Sequence, residues 1–111
     1  MDKSELSKWA LSNGWRMIAD CPSLVKPSAP QQAIVRLVLK TGVAQLEIKK
    51  PAGKWEKVVS QSYSKIIADP QTGLPRGLGL DTISGFASLM QDNKNSMVFD
   101  KRPERPKDQE A

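Results

Sequence analysis

Between Ala33 and Tyr63 the chain reads AIVRLVLKTGVAQLEIKKPAGKWEKVVSQSY, three runs of alternating or continuous apolar residues separated by two glycine-containing turns. This pattern predicts an antiparallel meander. With Thr41-Gly42 as a two-residue loop, Leu39 faces Ala44, Leu37 faces Leu46 and Val35 faces Ile48, all apolar pairs. Arg36 then falls opposite Glu47, a cross-strand charge pair of about 0.2–1 kcal/mol. A one-residue slip would mix the two faces and lose both agreements. The second turn, Pro51-Ala52-Gly53, places Leu46 opposite Val58 and Glu47 opposite Lys57. The predicted inner face is Val35, Leu37, Leu39, Ala44, Leu46, Ile48 and Val58. The predicted outer face is Arg36, Lys40, Gln45, Glu47, Lys49, Trp55 and Lys57. Glu56 is the one misfit, falling on the inner side near the sheet edge.

The flanks are read from capping and turn chemistry. Asp2 followed by Glu5 is a capping box, Leu6, Trp9 and Ala10 share a helical face, and Asn13-Gly14 is a stop, so a helix is predicted over 3–12. Trp15 to Ile18 follows as a short extended segment. Residues 20–31, with Pro22, Pro27 and Pro30, are expected to form a loop without regular pairing. Ser64 to Asp81 is expected to be irregular. Asp81 is expected to cap a second helix, weakened by Gly85, on which Ile83, Phe86, Ala87 and Met90 line up. The predicted class is α+β: N-terminal helix, three-stranded antiparallel meander, C-terminal helix and disordered tail. Residues 1–91 are expected to form a single small domain and 92–111 a flexible charged tail. Within that tail Met97-Val98-Phe99 is the one apolar cluster, a candidate edge strand or hydrophobic anchor.

Composition excludes several chemistries. The 111 residues contain no histidine and a single cysteine, Cys21. Ser-His and Cys-His nucleophile pairs, imidazole acid–base catalysis, a disulfide framework and multi-cysteine zinc sites are therefore ruled out. The scattered carboxylates Asp20, Glu47, Glu56 and Asp69 form no recognisable pair. The reading is of a non-enzymatic protein needing no cofactor and no metal. No apolar run approaches the roughly 20 residues of a membrane span, and the first residues carry no signal-peptide core. No membrane association and a reducing cytoplasmic setting are the expectations.

Lys and Arg number 17 against 12 Asp and Glu, a net charge of +5. Residues 92–111 are neutral, so the excess belongs to 1–91, and most of it to 33–57. Trp55 among Arg36, Lys40, Lys49, Lys50, Lys54 and Lys57 is the best functional candidate. Such a surface tracks phosphates, and an aromatic platform stacks an unpaired base of RNA or single-stranded DNA. An exposed sheet carrying an aromatic also suits a protein partner, through the sheet edge or Met97–Phe99. The glycine-rich run from Gly73 to Gly79 contains Arg76, a weak anion-binding candidate: Pro75 removes a donor and Asp81 brings negative charge. Trp9 and Trp15, flanking Asn13-Gly14, are expected in the core.

The opening segment KSELSKWALSNGWRMI, a capped helix ending in Asn-Gly-Trp and running into a strand, is similar to the start of HicA-type RNA-cleaving toxins. That resemblance implies a double-stranded-RNA-binding-like helix–meander–helix fold. The family's catalytic histidine has no counterpart in this sequence, so nuclease activity is not implied.

Overall fold

The Asp2 side chain accepts the Glu5 N–H at 2.8 Å and Glu5 accepts the Asp2 N–H at 2.9 Å, closing the predicted capping box. Helix α1 accordingly spans Lys3–Ser12. It ends at Asn13, and Gly14 takes a left-handed φ of +91° that turns the chain into the sheet. The computed structural model describes residues 1–101, with side chains described through Asn95. The predicted disorder of residues 102–111 lies outside that range.

The chain is α+β, with one antiparallel sheet of five strands rather than three, in the order β1-β2-β3-β4-β5. These are β1 (Arg16–Ile18), β2 (Cys21–Lys26), β3 (Ala29–Leu39), β4 (Val43–Lys49) and β5 (Trp55–Ser62). The expected loop over 20–31 is therefore largely strand. Its prolines are tolerated for positional reasons. Ile18 and Cys21 close a two-residue turn, so Met17–Pro22 is the next, non-hydrogen-bonded pair, in which the backbone nitrogen of residue 22 faces away from β1. The donor that Pro22 lacks is lost on the β3 side, and the β2–β3 ladder starts one residue later, at Ser23–Arg36. Pro27-Ser28 forms the turn between Lys26 and Ala29, where proline presets φ.

The β3–β4 register is the predicted one, pairing Val35 with Ile48, Arg36 with Glu47, Leu37 with Leu46 and Leu39 with Ala44. On β5, Glu47 pairs with Lys57 as expected, but Leu46 pairs with Val59, not Val58. A β-bulge supplies the extra residue and turns both valines toward the core. Glu56 is exposed and reaches Lys50 Nζ at 2.8 Å, so its side chain escapes the inner face.

The core joins Leu24, Val35, Leu37, Ala44 and Leu46 of the sheet to Leu6 and Ala10 of α1, to Trp15, and to Ile66, Leu78, Leu80 and Phe86. Burying each leucine contributes about 1.5–3 kcal/mol, several times a cross-strand charge pair, so the inner face sets the register. Trp9, Trp15 and Phe86 form an aromatic run, with centroids 5.8 and 6.2 Å apart.

The segment after β5 is less irregular than expected. Strands β6 (Ile67–Ala68) and β7 (Pro75–Arg76) form a small hairpin, and Asp81 lies in a 3-10 turn over Leu80–Thr82. It does not cap the second helix. Gly85, at φ +70°, breaks the chain before α2, which runs Phe86–Lys101. The expected boundary at 91/92 thus falls inside a helix, and Met97–Phe99 are helical rather than an edge strand. Among the described residues no helix is long and apolar enough to cross a membrane.

Candidate functional site

With both helices packed on the inner side, the opposite sheet face carries the basic residues. The pairing registers set Arg16, Ser23, Arg36, Glu47 and Lys57 in one row across all five strands. Lys49 and Trp55 pair in the neighbouring row. At the centre, the Arg36 guanidinium lies over the Trp55 ring, 4.1 Å from its centroid, and Lys49 Nζ lies 5.9 Å from the same ring.

Glu47 organises this cluster. Its Oε1 accepts from both Nε and Nη2 of Arg36 at 2.7 Å. Its Oε2 accepts from the Gln45 amide, whose Oε1 in turn lies 3.4 Å from Lys40 Nζ. A polar chain therefore runs Lys40, Gln45, Glu47, Arg36 and ends on Trp55. The Glu47 side chain is only 12% exposed and that of Arg36 28%, so the pair is partly shielded from water. Such charge-assisted contacts are stronger than those between exposed pairs.

Of the sequence-predicted residues, Arg36, Lys49 and Trp55 meet at this centre, with Lys40 and Lys57 on the same face. Lys50 and Lys54 belong to the β4–β5 turn, where the Lys50 N–H donates to the Lys54 carbonyl at 2.8 Å. The Lys50 ammonium is neutralised by Glu56. Arg76 is elsewhere. It lies 3.8 Å from Asp69 and shares a cleft of about 450 Å³ with Asp69 and Asp81, where the local charge is net negative. Backbone N–H groups of Gln71 and Thr72, at 2.8 and 3.1 Å, together with Arg76, hold the Asp69 carboxyl below its ordinary 3.8.

A second cleft, of about 250 Å³, opens on the outer face beside the Arg36–Trp55 contact. Ala19, Gln31, Gln32, Arg36, Lys49 and Trp55 are among its walls. Gln31 and Gln32 are absent from the sequence-predicted site because Gln31 ends the expected loop and Gln32 precedes the predicted meander. The available signal was the Pro27-Ser28 turn behind the apolar pair Leu24-Val25, which marks a hairpin. Among the described residues no three His, Cys, Asp or Glu side chains are grouped so as to hold a metal ion. Comparison with family models, curated proteins and solved structures finds no match to this chain.

Proposed function

We propose that this chain is a non-enzymatic binding module that engages nucleic acid through the outer face of its sheet. The observation that carries the reading is the Trp55 ring flanked by Arg36 and Lys49 on the face opposite both helices. Lys40, Lys49 and Lys57 are exposed there and supply phosphate contacts, while Trp55 supplies a stacking surface. Labelled RNA or single-stranded DNA should bind with strong salt dependence, and Arg36→Glu with Lys57→Glu should weaken binding and flatten the salt slope. Absence of salt-sensitive binding at micromolar protein would end this reading.

The alternative is a protein-interaction module using the sheet edge. It draws on β5 standing last in the sheet order. The bulge at Val58 disturbs the regular pairing geometry of that edge, a device that discourages strand addition, and so nucleic acid ranks first.

A further inference from the structure

We infer that the 250 Å³ outer-face cleft takes one unpaired nucleobase of a single-stranded nucleic acid, stacked on the Arg36–Trp55 layer and met at its edge by Gln31 and Gln32. The inference rests on the nucleic-acid reading above and names the substrate class of the same face.

The division of labour follows from what each side chain has left to offer. Nε and Nη2 of Arg36 are both committed to Glu47 Oε1, so much of the donor edge that would read a guanine is occupied. The guanidinium is instead clamped above the indole at 4.1 Å, which makes it a plate. Arg guanidinium planes and indoles are the platforms on which splayed bases stack. Gln31 and Gln32 are exposed, and their amides each bring a donor and an acceptor, the combination that matches a base edge. Lys49, which lines the same cleft, serves the flanking phosphate. Glu47 keeps phosphates off the centre of the sheet and leaves them to the rim lysines. A duplex holds its bases stacked and paired, so it cannot present a base to this platform.

The test uses the full chain and fluorescein-labelled oligonucleotides of equal length: oligo-A, oligo-U and a duplex, each at about 50 and 200 mM salt. Single strands should bind about tenfold or more tighter than the duplex. Trp55→Leu should remove most of that preference while leaving the salt slope unchanged, and Trp55→Phe should keep it, which separates stacking from a folding defect. Gln31→Ala with Gln32→Ala, both exposed, should level the ranking of oligo-A against oligo-U. Salt-sensitive binding that treats duplex and single strand alike, or that survives Trp55→Leu unchanged, overturns the base-pocket inference and leaves the nucleic-acid reading standing. No salt-sensitive binding to any of the probes overturns both.

Discussion

The Asn93 side chain closes the open edge of β2: its Oδ1 accepts the Val25 N–H at 3.0 Å and its Nδ2 donates to the Val25 carbonyl at 3.1 Å. Strand β1 pairs with β2 only over Cys21–Ser23, so Val25 has no strand partner on that side. The carboxamide takes the place of a strand, and Asn93 is 2% exposed. Asn93→Leu should lower unfolding free energy by about 2–6 kcal/mol, since two buried backbone groups lose their partners at about 1–3 kcal/mol each. Urea denaturation measures this, and a loss under about 1 kcal/mol would mean that water or a rearranged backbone satisfies Val25.

Gly14 and Gly53 share nearly the same backbone angle, φ +91° and +90°, but not the same surroundings. A Cβ on Gly14 would meet the Lys94 backbone nitrogen at 2.6 Å, whereas one on Gly53 would meet nothing within 4 Å. Gly53→Ala should therefore cost only the left-handed penalty of about 1–2 kcal/mol. Gly14→Ala should cost a further ~1–3 kcal/mol, because the α2 backbone at Asn93–Lys94 must move away from residue 14. Equal losses in parallel thermal melts would show that the close approach of α2 to Gly14 does not contribute.

The β1–β2 turn places two non-glycine residues at positive φ, Ala19 at 51° and Asp20 at 65°. Two-residue turns of this kind favour Asn-Gly. Ala19→Asn with Asp20→Gly should raise stability by about 1 kcal/mol or more through relief of that strain. A lowered melting temperature would contradict the turn geometry.

Glu47→Gln should leave an acceptor for Arg36 but remove the charge that neutralises it. The expected result on oligonucleotide binding is tighter affinity at low salt and a salt slope steeper by about one phosphate contact. Stability should fall by about 1 kcal/mol, the net worth of a partly shielded charge-assisted contact. Unchanged binding would indicate that Arg36 stays screened or does not face the ligand.

The loop between β6 and β7 should respond to acid. The folded Asp69 carboxyl sits below its ordinary 3.8, so its ordering effect is fully present above the unfolded value and is lost as pH falls through the folded one. The amide resonances of Gln71 and Thr72 should shift together on acidification. Asp69→Asn keeps the accepting oxygen and should abolish the titration while preserving the turn; a persistent acid transition in that variant would assign it to another group.

Local signals carried much of this molecule. Asp2 with Glu5 specified the start of α1, and the alternation from Val35 to Ile48 specified the β3–β4 register, because capping and period-two patterning act over a few residues. Continued through the Pro51-Ala52-Gly53 turn, the same patterning also put Arg36, Glu47, Lys49 and Lys57 on one face. Three features depended on contacts between distant segments and left only faint marks in the chain. Strand β2 forms among prolines because the donor missing at Pro22 is not needed in the β1 ladder. The second helix extends past residue 91, anchored by Asn93 on a strand edge 68 positions earlier. The outer-face cleft joins Gln31 and Gln32 to Arg36, Lys49 and Trp55. Sequence by itself thus determined the two faces of the central strands and their charges. Only the tertiary structure decided how many strands the sheet has and what borders Trp55, because both rest on backbone edges that are satisfied across the fold.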